Sequence, residues 1–204
     1  MRQRSRRRAS TADMSRFSVF LDTCVLVPID AADLLMRLAV EDCYRPLWSQ
    51  AVLDELRRTV LKVHPGIGDA KIERRIDQMN ATFEDALVTG WEALVPGIEL
   101  PDPDDRHIVA AAVRGRADLI VTENLRDFPD ETLLLWDLEA QSLDGFLLDQ
   151  LDLAPDAVMN VLCQQAQARS RPPVSVEELL DQFERIGIPG FVKAVNGRLW
   201  RMPG

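Results

Sequence analysis

The apolar positions of this 204-residue chain follow two regimes. Up to about residue 141, short unbroken apolar runs alternate with stretches of helical period; beyond it only the helical period remains. "RFSVFLDTCVLVP" predicts a buried strand from Ser18 to Leu21 with Asp22 at its carboxyl end, then a turn into a helix around Ala31 to Val40. "YRPLWS" fits a second strand. Ser49 caps the helix of "SQAVLDELRRTVLKV", which His64, Pro65 and Gly66 stop. Residues 69–87 read as a further amphipathic helix, "WEALVPG" as a third strand, "DLIVT" as a fourth and "TLLLWD" as a fifth. Strands alternating with helices predict an α/β fold with a parallel sheet covered by helices on both faces. In such sheets ligands bind beyond the carboxyl ends of the strands, where strand order reverses. Asp22 and the segment after Thr122 belong to that edge.

From residue 142 the segments "SLDGFLLDQL", "APDAVMNVLCQQAQARS" and "SVEELLDQFERIG" predict helices only. Ser175 with Glu178 forms a capping box and Gly187 ends that helix. The expected organisation is a basic, disordered arm at 1–14, a sheet domain at 15–141, and a helical extension at 142–204. The extension carries no catalytic cluster, and its Leu, Phe and Val residues are expected to pack on the sheet domain or on a partner.

Charge is unevenly spread. Residues 1–13 carry five arginines against Asp13, a net of +4, so the rest of the chain holds −13 of the total −9. The arm suits a nucleic-acid contact, but Met14, just before the first apolar segment, equally suits a start of translation. No apolar run approaches the length of a membrane span, and no apolar segment follows the arginines to make a secretory signal, so the expected compartment is the cytoplasm, with no membrane partner. Cys24, Cys43 and Cys163 are too scattered for a disulfide framework or a thiolate zinc site, and two histidines cannot build a histidine-rich centre. Any metal here must be held by oxygen, which points to a hard cation such as Mg²⁺ or Mn²⁺.

"DPDDRHIVAAAVRGRAD", residues 102–118, begins with three aspartates in four positions. Helix initiation accounts for part of this: Asp102 suits the N-cap, Pro103 the first helical position, and acids favour the first turn. At about 100° per residue, Asp105 falls on the stripe of Ile108, Val109, Ala112 and Val113, whereas Asp104 points roughly 110° away. On the earlier helix Glu55 lies about 100° from the apolar face and Asp54 about 160°, so Glu55 is the boundary residue and Asp54, paired with Arg58, the solvated one. Asp127 follows the fourth strand by a short loop, with Thr122 and Asn124, although turn chemistry also accounts for Asn124 and Asp127. Asp22, Glu55, Asp105 and Asp127 then converge from four elements. Carboxylates so crowded repel and partly protonate unless a divalent cation compensates them.

These residues, "FLDTCVL", "SQAVLDELRR" and "DPDDRHIVAAAVRGRADLIVTENLRDF" in this order, resemble the PIN-domain nucleases, and particularly the VapC-type toxins of bacterial toxin–antitoxin pairs. The resemblance covers roughly residues 17–137, and the helical tail is similar to that of one PIN subgroup. It implies a three-layer α/β/α fold and a Mg²⁺- or Mn²⁺-dependent ribonuclease. Asp22, Glu55, Asp105 and Asp127 would ligate or support the metal, with Thr23, Thr122 and Asn124 as polar groups behind them. Family members also place the fourth acid at the position held here by Asn124, and Asp104 is a substitute or fifth acid. Implied partners are RNA, a cognate antitoxin and a second copy of the toxin.

An acidic body is a poor match for RNA, so binding would rely on local basic residues, above all Arg58, Lys62, Arg75 and Arg126. Two other functions compete. A haloacid-dehalogenase-like phosphatase also starts with an aspartate after its first strand, but needs a second Asp two positions on, where this chain has Cys24. A non-catalytic PIN-like module binding RNA or protein is the stronger alternative, since fold does not fix function.

Overall fold

Ser18–Leu21 forms the central strand β1, and all four of its side chains are buried, as a strand covered on both faces requires. The computed structural model describes residues 17–169 and 173–199; the expected arm at 1–14 lies outside them. After β1 come the short helix α1 (Thr23–Leu26), α2 (Ile29–Val40), β2 (Arg45–Ser49), α3 (Gln50–Val63), α4 (Asp69–Thr82) and β3 (Leu87–Val88). Then follow α5 (Arg106–Gly115), β4 (Leu119–Val121), α6 (Asp130–Leu133) and β5 (Glu139–Gln141), with 3₁₀ turns at Glu92–Gly97, Pro103–Asp105, Leu125–Asp127 and Leu134–Trp136. The extension comprises α7 (Leu143–Leu153), α8 (Pro155–Ala168), α9 (Val176–Arg185) and α10 (Pro189–Asn196).

The five strands make one parallel sheet in the order β3-β2-β1-β4-β5, flanked by helices, which is the expected α/β class. From β1 the chain steps outward to β2 and β3, then returns to place β4 on the other side of β1. Strand order therefore reverses between β1 and β4, and the crevice beyond their carboxyl ends is where such sheets bind ligands. Phe20 is in register with Ile120 and Leu21 with Val121, so Asp22 and Thr122 emerge side by side.

Three expected elements differ. "WEALVPG" forms no strand: Glu92–Gly97 is a 3₁₀ turn with Pro96 inside it, a residue that cannot donate to a ladder, and the edge position goes to Leu87–Val88. The helix expected over 69–87 accordingly stops at Thr82. "TLLLWD" is helical through Leu133 and continues as a 3₁₀ turn, with Leu134 and Leu135 exposed, and the fifth strand is Glu139–Gln141. A short apolar run does not distinguish strand from helix. The ion pair expected between Asp54 and Arg58 is not made either; Gln50 Nε2 donates to Asp54 Oδ1 at 2.9 Å instead.

Gly115, at the end of α5, lies so close to the sheet that a Cβ would stand 2.8 Å from Val88 Cγ2 and 3.1 Å from Leu47 Cδ1. Val88 is β-branched and cannot swing away cheaply. Gly115→Ala is therefore expected to lower stability by a net of about 1 kcal/mol, overpacking outweighing the gain in helix propensity, as read from the urea unfolding midpoint.

The extension packs apolar side chains against the sheet domain. Phe146 of α7 meets Tyr44 edge-on with ring centroids 5.1 Å apart, and Tyr44 is 2% exposed. Buried Gln165 of α8 donates through Nε2 to the Asp30 carbonyl at 2.8 Å. Phe146, Leu162, Phe183 and Phe191 join one apolar cluster with β1 and α2. Within the extension, Asp144 accepts from the Gly190 and Phe191 N–H groups at 3.0 and 2.7 Å, tying α7 to the start of α10. Ser175 and Glu178 form the expected capping box on α9, and Gly187 follows it at φ +93°.

Candidate metal centre

Asp22 ends β1 and caps α1 by position only, since its side chain makes no capping bond. Its carboxylate is instead held across the switch point. Thr122 Oγ1 donates to Asp22 Oδ2 at 2.6 Å, and the Cys24 thiol lies 3.1 Å from the same oxygen. Thr122 is fully buried and also accepts from the Asn124 N–H at 3.1 Å, which fixes its single proton on Asp22.

Glu55 sits in the second turn of α3, half-buried, at the boundary of the face formed by Val52, Leu53 and Leu56. Thr23 Oγ1 donates to Glu55 Oε2 at 2.9 Å, so α1 orients this acid as β4 orients Asp22. Asp105 closes the 3₁₀ turn that leads into α5 and is half-buried, while its neighbour Asp104 is exposed. Asn124 Nδ2 donates to Asp105 Oδ2 at 3.3 Å and also makes a short bond to Asp127 Oδ2. One amide thus bridges two of the acids.

Asp102 was absent from the expected set. Its Oδ1 accepts from the Asp104 N–H at 2.9 Å, the capping role that its position suggested. Yet ligand oxygens of Asp102, Asp105 and Asp127 all lie within 4.8 Å of one another. Asp22 and Glu55 stand outside that trio but act on it. The Asp105 carboxyl is pushed up to about 6, chiefly by burial and then by the charges of Asp22, Asp102, Asp127 and Glu55. Acids from four parts of the chain therefore act on Asp105 through their charges.

Little positive charge offsets them. Arg126 is 86% exposed at its side chain, 3.6 Å from Asp127 Oδ2, and donates to Asn124 Oδ1 at 3.2 Å. His107 is held below its usual pKa by burial, against the pull of Glu55, Asp22 and Asp104. A set of carboxylate oxygens with almost no counter-charge suits a hard divalent cation in both donor type and charge. Deprotonation of Asp105 is a condition for that, so Mn²⁺ affinity is expected to fall by up to about tenfold per pH unit below pH 6 and to level off above it. Calorimetric titration between pH 5 and 8 measures this.

The remaining basic residues are dispersed. Arg58 and Lys62 are exposed on α3. Arg75 turns inward: its guanidinium makes a short bond to the Leu26 carbonyl, and burial pulls its pKa down to about 10. It lines a groove of about 810 Å³ between α2, α4 and α8, with apolar Ile29, Met36, Ile72 and Phe83 and the charged Arg37, Lys71 and Arg74. Of the four basic residues expected at the cleft, only Arg126 touches the acids.

Residues 18–126 match the family model of the PIN domain, and residues 143–197 that of the VapC50 C-terminal domain. Asp127 lies one residue beyond the first match. A Mycobacterium tuberculosis (strain ATCC 25618 / H37Rv) protein named "Putative ribonuclease VapC50" is 48% identical over 77 residues, which cover 38% of this chain and 46% of that protein. No solved structure matches the chain significantly.

Proposed function

The chain belongs to the PIN-domain family, and from that premise we propose that it is a metal-dependent endoribonuclease, the toxin of a VapBC-type toxin–antitoxin pair. The match of its extension to the VapC50 C-terminal domain and the name of the mycobacterial relative support the reading. The observation that carries it is the trio of Asp102, Asp105 and Asp127, whose ligand oxygens lie within 4.8 Å of one another, with the Asp105 carboxyl raised by burial and then by the charges of Asp22, Asp102, Asp127 and Glu55.

Asp22, Glu55, Asp105 and Asp127 would hold Mg²⁺ or Mn²⁺, joined by Asp102, with Thr23, Thr122 and Asn124 orienting them and Asp104 at the exposed margin. When bound, the cation supplies charge for the phosphate oxygens and lowers the pKa of the attacking water. Asp105, whose carboxyl is raised to about 6 without metal, would be held ionised by the bound cation and serve as one of its oxygen ligands. Hydrolysis is then in line at the phosphodiester. A cysteine nucleophile plays no part: burial and Asp22 push the Cys24 thiol up to about 12.

Arg126 at the rim, with Arg58 and Lys62 on the outer face of α3, would contact the RNA backbone. An antitoxin is the proposed protein partner, and self-association and a cytoplasmic setting complete the reading. Among the described residues no helix is long and apolar enough to cross a membrane. Incubating the protein with total RNA and Mg²⁺ or Mn²⁺, then sequencing the new ends, tests the activity. Defined new ends that vanish with EDTA are expected; intact RNA under every condition would favour a non-catalytic module.

A further inference from the structure

Cys24 lies in the first turn of α1, and its sulfur stands between the two halves of the switch point. It is 3.1 Å from Asp22 Oδ2, toward which the thiol donates, and 3.5 Å from Thr122 Oγ1. From the far side it accepts the backbone N–H of Glu123 at 3.2 Å. The side chain of Glu123 points the other way, where Oε1 accepts from the N–H of Leu143 at 2.9 Å. Leu143 is the first residue of α7, so its N–H has no partner within the helix. A continuous run of hydrogen bonds thus leads from the extension through Glu123 and Cys24 to the carboxylate of Asp22.

We propose that Cys24 is a positioning residue for Asp22, and that Glu123 couples it to the first turn of the C-terminal extension. The proposal rests on the reading of the acids as a cation site. Thr122 has one proton to give, and the Cys24 thiol provides the second donor to Oδ2. Two donors on one oxygen fix the rotation of the carboxylate and leave Oδ1 for the cation. Without the sulfur, Asp22 has one donor fewer and the Glu123 N–H loses its acceptor. Loss of a group that orients a ligand in this way typically costs about 10–100-fold in metal affinity. Glu123 gives the extension a specific link to the site that packing alone does not supply.

The test is calorimetric titration of the full chain with Mn²⁺, together with urea unfolding, on Cys24→Ala, Cys24→Ser, Glu123→Ala and Glu123→Gln. Cys24→Ala is expected to weaken Mn²⁺ binding about tenfold. Cys24→Ser, whose hydroxyl both donates and accepts, restores most of it. Glu123→Ala weakens binding in the same direction, and Glu123→Gln, which keeps the acceptor for Leu143, does not. Cys43→Ala serves as a control with unchanged affinity. Wild-type-like affinity in both alanine variants, with Mn²⁺ still binding the wild type, would overturn the positioning role alone. Failure of the wild type to bind Mn²⁺ would overturn the cation site and this proposal together. Should Cys24→Ala not fold, the Glu123 pair decides by the same criterion.

Discussion

Asp22→Asn is expected to lower kcat/KM for RNA cleavage by at least about 10³-fold, roughly 4 kcal/mol of transition-state stabilisation, while leaving the fold intact. The substitution is isosteric, and an amide oxygen can still accept from Thr122 and Cys24, so the packing at this 7%-exposed position persists. What is lost is the negative charge at the junction of β1 and β4. Steady-state cleavage assays beside circular dichroism measure both parts. Cleavage within about tenfold of wild type, with the fold unchanged, would remove Asp22 from the chemistry.

Asp105→Asn is expected to act with opposite sign on stability and on metal binding. The folded-state pKa of Asp105 is raised from 3.8 to about 6. A carboxyl raised in this way favours folding fully below the unfolded pKa and loses that contribution as pH rises through about 6. At pH 7.5 without divalent cation, the ionised carboxylate therefore costs stability, about 1 kcal/mol after allowing for its partial exposure to water. Replacing it by the neutral amide should raise Tm of the metal-free protein by about 2–4 °C at pH 7.5 and by nothing near pH 4. With Mn²⁺ the order reverses, because the wild type gains the binding energy and the variant does not. A variant less stable than wild type without metal at pH 7.5 would show that Asp105 is not under repulsion from its neighbours. The same variant should lose RNA cleavage, since it removes a ligand oxygen and a negative charge from the cation site.

The strand-end residues are legible because unbroken apolar runs mark where the buried strands stop. A buried run that ends in Asp22 and another that ends in Thr122 must place both at the sheet edge if the strands are parallel neighbours. Helical angle separates Glu55 from Asp54 and Asp105 from Asp104, and the half-buried member of each pair is the one nearer the apolar face. Asp102 was missed for a physical reason. Its capping role is real, and nothing in the sequence says that a capping carboxylate also lies within 4.8 Å of two other acids. Arg75 is expected from the sequence to contact RNA, and only the fold brings the Leu26 carbonyl, 49 positions away, to its guanidinium. The Cys24 contact with Glu123 spans 99 positions and leaves no local trace. The short edge strands were the least readable, since Leu87–Val88 has two residues and no period to detect.

The central claim is that carboxylates distant in sequence share one hard cation at the switch point. A crystal soaked in Mn²⁺ and measured for anomalous scattering tests it directly. The account predicts an anomalous peak within bonding distance of oxygens from Asp22 and Asp105, with Glu55 or Asp127 completing the shell directly or through water. No peak at that rim under saturating Mn²⁺, or a peak held by other residues alone, would contradict it.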